Sequence, residues 1–61
     1  MKLTKRESEV AIMAVQGMTN AEIAYELSIA ENTVKKHMSN IFDKLQITGR
    51  DELRAAGERR E

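Results

Sequence analysis

Between Ala30 and Leu45 the chain reads A-E-N-T-V-K-K-H-M-S-N-I-F-D-K-L, and a helix sorts those residues into two faces. Turned at about 100° per residue, Val34, Met38, Ile41, Phe42 and Leu45 share one arc with His37 at its edge. Asn32, Lys35, Lys36, Ser39 and Asp43 lie opposite. One side can be built into a core; the other carries hydrogen-bond donors, gathered mostly in the first two turns. The segment is expected to be a helix held by one face that presents its N-terminal half to a partner.

The rest of the chain has to cover the apolar arc, and it does so with short helices. Thr4-Lys5-Arg6-Glu7 has the form of a capping box, in which a hydroxyl and a carboxylate each satisfy a free backbone N–H, so a first helix should run from about Lys5 to Gln16. Val10, Ala11, Met13 and Ala14 give it an apolar face, and Gly17 is suited to the left-handed residue that ends it. Thr19-Asn20-Ala21-Glu22 repeats the box and opens a second helix near Asn20 to Leu27, with Ile23, Ala24 and Leu27 inward. Ser28-Ile29-Ala30 is too short to wander, so the second and third helices should meet through a tight turn plugged by Ile29. Across that turn, small Ala24 lets the backbone carrying Val34 come close.

After Leu45, Thr48-Gly49-Arg50-Asp51 is a weaker capping form that should start a fourth helix, with Leu53 and Ala56 as its core contacts. From Gly57 onward the sequence is charged, and Arg59-Arg60 reads as a solvated, frayed tail. With no strand-like alternation and no proline, the expected fold is all-α: a four-helix, bundle-like domain containing a helix-turn-helix, residues 1–61 forming one unit and the third helix covering about 31–45.

Length and composition narrow the function. A chain of 61 residues buries only about 60% of its unfolded surface, which leaves no room for a deep catalytic cavity. Without cysteine and with a single histidine, neither a disulfide framework nor a cysteine-histidine zinc site can be built. No nucleophile-base pair, metal cluster or phosphate loop is present, so no enzyme, cofactor or metal is expected. No apolar run approaches a membrane span, and Met1-Lys2 leads into charged sequence rather than a signal peptide. A soluble, cytoplasmic protein is the expectation. Ten basic and ten acidic side chains cancel, so net charge alone would not suggest a nucleic-acid partner. Locally, Glu31 to Leu45 sets Lys35, Lys36 and Lys44 against Glu31 and Asp43, a weak positive field.

Five blocks in order carry a resemblance. Leu3-Thr4-x-Arg6-Glu7-x-Glu9-Val10, Gly17-Met18-Thr19-Asn20-x-Glu22-Ile23-Ala24, Leu27-Ser28-Ile29, Thr33-Val34-Lys35-x-His37 and Ile41-x-x-Lys44-Leu45, followed by Arg50, closely resemble the LuxR-type (GerE-type) helix-turn-helix domain. The likeness spans about Leu3 to Leu53. It implies the DNA-binding output domain of a longer bacterial transcription regulator, of the response-regulator or quorum-sensing kind, with double-stranded DNA as partner. It also implies a homodimer through the fourth helix (Leu53, Ala56), an N-terminal receiver or ligand-binding domain, and contact with RNA polymerase.

Carried over position by position, the family's base-reading residues fall on Lys35, Lys36 and Ser39 with Asn32 beside them, and its backbone contacts on Asn20, Thr33, Lys44 and Arg50. The chemistry of these side chains agrees. A major groove about 12 Å wide admits one helix, lysine can donate to guanine, and asparagine and serine can read several base edges. Thr33 and the early N–H groups suit a phosphate. Lysine is a flexible point charge, so Lys35 and Lys36 should discriminate bases more loosely than arginine would.

Three positions depart from the family pattern. Ala30 stands where a capping serine is usual, Gln46 where glycine is usual, so that the third helix is expected to run on or end differently, and Ser39 where a base is frequent. The other conspicuous residues have plainer readings. His37 is expected to be a packed or hydrogen-bonded helix residue, and Met13, Met18 and Met38 core filler. Tyr25 and Phe42 are too few for a base-stacking platform. Ile12 points away from the first helix's apolar face and, with Tyr25 and the fourth helix, supports the competing function: a helical protein-interaction module on the same fold.

Overall fold

The computed structural model describes residues 2–58. The Arg59-Arg60 tail lies outside the described residues, as does the side chain of Ala56. Four helices follow one another, α1 (Lys5–Val15), α2 (Asn20–Leu27), α3 (Glu31–Leu45) and α4 (Arg50–Glu58), and among the described residues there is no strand. None of the helices is long and apolar enough to cross a membrane.

Each helix begins where its sequence can satisfy free N–H groups, with one exception. At α1 the Glu7 N–H donates to Thr4 Oγ1 at 3.1 Å and the Thr4 N–H to Glu7 Oε1 at 2.9 Å. At α2 the same exchange joins Thr19 and Glu22 at 3.1 and 2.8 Å. At α4 the partner of Thr48 is Glu52, not Asp51: both the N–H and the hydroxyl of Thr48 donate to Glu52 Oε1, at 2.7 and 2.6 Å. The reason is that α4 starts only at Arg50, with the Gly49 carbonyl accepting from the Leu53 N–H, so the carboxylate that reaches back is one residue further on. These bonds hold Glu52 below the usual carboxylate range, the Thr48 hydroxyl first and the Thr48 N–H second.

The exception is α3, where Ala30 is the capping residue and supplies no side-chain bond. Restoring a hydroxyl there is worth about 1 kcal/mol. For a domain this small, Ala30→Ser should raise the melting temperature by about 4–8 °C in a calorimetric scan. An unchanged or lower value would count against this helix start.

The first three helices end by one device. Gly17 (φ 92°), Ser28 (φ 57°) and Gln46 (φ 57°) are left-handed, and each donates its N–H back into the last turn, to Ala14, Tyr25 and Asp43 respectively. The following apolar residue, Met18, Ile29 or Ile47, donates to Met13, Ala24 or Phe42 and folds onto the core. Gln46 therefore neither extends α3 nor changes its ending; it accepts the left-handed geometry that glycine would adopt more easily.

Val10, Ala11 and Ala14 of α1, Ile23 and Ala24 of α2, Val34, Met38 and Ile41 of α3 and Leu53 of α4 form one buried core. Leu3, Met13, Val15, Met18, Leu27, Ile29, Phe42 and Ile47 close around it. α1 packs against α3 and α4, and α2 against α3, so α3 is held from two sides. Leu45 departs from the expected arc, being 40% exposed. It sits in the last turn, where Ile47, swung back through the left-handed turn, takes the inward place. Leu53 is buried within its own chain, at 4% exposed, so it cannot serve as the dimer contact expected of it without unpacking the core.

One charge enters this core. Glu7 is 4% exposed, and its Oε1 accepts from Lys44 Nζ at 2.7 Å as well as from the Thr4 N–H, tying the start of α1 to the end of α3. The Lys44 ammonium, and after it the Thr4 N–H, holds the Glu7 carboxyl below its ordinary value. A carboxyl held low in the folded state contributes stability that is present at neutral pH and lost as acid protonates it. Glu7→Gln should accordingly lower the melting temperature at neutral pH, and the two melting temperatures should converge as pH falls through the acidic range. A constant gap in melts taken down the pH series would sink this account.

Candidate nucleic-acid interface

The outer face of α3 follows from how the helix is held. Because Val34, Met38 and Ile41 point into the core, Asn32, Thr33, Lys35, Lys36 and Ser39 all stand exposed. Among the described residues none of these five side chains makes an ion pair or side-chain hydrogen bond. Two ammonium groups, an amide and two hydroxyls thus face outward from the first half of a rigid helix, with full donor capacity. Its first turn carries the positive end of the helix dipole, and Ala30 makes no side-chain capping bond to it. Exposed Asp43 on the same outer side adds one opposing charge.

The expected backbone contacts are arranged differently from one another. Thr33 is free on the first turn of α3. Asn20 and Arg50 are brought together: Arg50 Nη1 donates to Asn20 Oδ1 at 2.8 Å, and Arg50 Nη2 donates to the Met18 carbonyl. This clamp pins the start of α4 to the start of α2 and leaves the Asn20 amide NH2 as its outward donor. Lys44 is correspondingly withdrawn. Its ammonium is engaged by Glu7 and its side chain is only 21% exposed, so it positions α3 by anchoring it to α1 instead of offering a free charge.

Glu7 is the functional neighbour that the sequence reading missed. It lies three, four and seven residues before Val10, Ala11 and Ala14, on the same helical face, and a carboxylate on an apolar face requires a cation. His37 is half-buried at the edge of the arc, the packed one of the two expected arrangements; among the described residues its Nδ1 is shut away from solvent with no hydrogen-bond partner. No group of His, Cys, Asp or Glu among the described residues could hold a metal ion.

The model of the family described as "Bacterial regulatory proteins, luxR family" matches residues 1–55. The spore germination protein GerE of Bacillus subtilis is 52% identical over 50 residues, covering 82% of this chain and 68% of that protein. The transcriptional regulatory protein LiaR of the same organism is 48% identical, covering 79% of this chain and 23% of LiaR. The two-component response regulator PprB of Pseudomonas aeruginosa is 42% identical, covering 90% of this chain and 20% of PprB. The chain thus spans most of the first relative but less than a quarter of the other two.

Proposed function

The chain belongs to the luxR family of bacterial regulatory proteins, whose work is DNA-binding transcription regulation, and from that premise we propose how this domain grips its target. α3 lies in the major groove of duplex DNA, with Lys35, Lys36, Ser39 and Asn32 reading base edges. The observation that carries the proposal is the row of exposed, unpaired donors on a helix whose opposite face is locked into the core. Thr33 and the Asn20 amide, backed by Arg50, hold phosphates on either side of that helix, and Lys44 acts from within as an anchor. The alternative of a protein-interaction module is not favoured, since the relatives are transcription regulators.

The domain works in the cytoplasm without a catalytic step or a cofactor. Two copies on half-sites about one helical turn apart supply the specificity that flexible lysines in one copy lack. Any dimer contact through α4 uses residues other than Leu53. A receiver or ligand-binding domain ahead of this one and contact with RNA polymerase complete the reading, the receiver being supported by the likeness to a two-component response regulator.

The test is equilibrium binding to a panel of duplexes over a series of salt concentrations. Binding should weaken steeply with salt, the logarithmic slope being about −0.9 per cation set against the DNA, with a modest spread among sequences. Indifference to every duplex at low salt would remove the proposal.

A further inference from the structure

We infer that His37 is a neutral phosphate contact, donating through Nε2–H from the flank of α3; the inference rests on the proposed docking of α3 in the groove. The buried Nδ1 has no partner among the described residues. A neutral imidazole has one protonated nitrogen and one acceptor nitrogen. A buried N–H left without an acceptor is rarer and more costly than a bare acceptor. The proton is therefore assigned to Nε2, the other nitrogen of this half-buried ring.

The placement then gives that donor a use. His37 sits between the inward residues Val34 and Ile41 and the outer face that carries Lys36. Thr33 is four residues earlier, one turn or about 5.4 Å along the same side of the helix. A helix lying in the major groove turns its middle to the bases and its flanks to the phosphate strands. Thr33 and His37 therefore form a two-step rail along one strand, a hydroxyl and then an imidazole N–H. With Lys44 engaged by Glu7, this flank is served by neutral donors.

A neutral donor and a cation leave different signatures, and the experiment uses that. Wild type, Lys36→Ala, His37→Leu and His37→Gln are bound to the duplex panel across a salt series at one fixed pH. His37→Leu should weaken binding about five- to tenfold on every duplex alike, as loss of one hydrogen bond does, with the salt slope unchanged. His37→Gln, which keeps an amide donor near the Nε2 position, should recover most of the loss. Lys36→Ala should instead reduce the slope by about one unit.

If His37→Leu fails to fold, His37→Met supplies the apolar comparison, because its unbranched side chain adapts to the same gap. Nitrogen-15 spectra of the imidazole in the free protein should show the Nε2–H form. Wild-type strength in the apolar variant, a slope change like that of Lys36→Ala, a loss confined to some sequences, or a ring protonated at Nδ1 would each overturn the inference while leaving the docking of α3 intact. Failure of the wild type to bind any duplex would overturn both.

Discussion

Replacing Ile41 by alanine should leave much of the chain unfolded at physiological temperature. Ile41 is fully buried, with no exposed surface, on the helix that α1 and α2 both pack against. Truncating a buried isoleucine costs about 2–5 kcal/mol, through lost transfer energy and the cavity left behind. At roughly 0.05–0.15 kcal/mol per residue, a chain of this size has about 3–9 kcal/mol in total, so the loss takes half or more of it. The melting temperature should fall by more than about 10 °C, and DNA binding should disappear with it because the same residue aligns α3. Ile41→Val, which removes one methyl and costs about 0.5–1.5 kcal/mol, should keep most of both. A circular dichroism melt of the alanine variant within a few degrees of wild type would mean that the core closes over the gap, and the view of α3 as the held element would fail.

Periodicity made the first three helices legible because each carries its own apolar stripe, and α1 and α2 their own capping residues as well. Thr4, Thr19 and Gly17 took the places their chemistry suits. Where the reading failed, the deciding force lay outside the segment being read. Leu45 matches the core arc by angle, yet the chain turns away at Gln46 and Ile47 takes its place inside. By sequence Leu53 suits two roles, and the core takes it. The pairing of Arg50 with Asn20 and Met18 joins segments thirty or more residues apart in sequence and has no local signal. Glu7 is the instructive case, since its place on the apolar face of α1 was visible and asked for a cation; only the fold could say that Lys44 answers. The donor row on α3 was readable for the opposite reason. Its residues are exposed because the other face is apolar, and both facts come from the same short segment.

That difference between Lys35 and Lys36 on one hand and Lys44 on the other leads to the second large effect expected. Lys35 and Lys36 stand exposed with no ion pair among the described residues, so replacing both with alanine should leave the folding stability within about 0.5 kcal/mol of wild type. Binding should suffer heavily. On the proposed docking both cations are lost from the groove, so the pair should weaken binding by about a hundredfold or more at low salt and the salt slope should fall by about two units. Lys44→Ala should show the reverse pattern. It strands the Glu7 carboxylate in a buried place, so the melting temperature drops, while a sample kept cold enough to stay folded retains the wild-type salt slope. Parallel melts and salt titrations on the two variants separate the roles. A Lys44→Ala protein that melts like wild type but loses about one unit of slope would return Lys44 to the phosphate-binding set, and would mean that its bond to Glu7 gives way when DNA arrives.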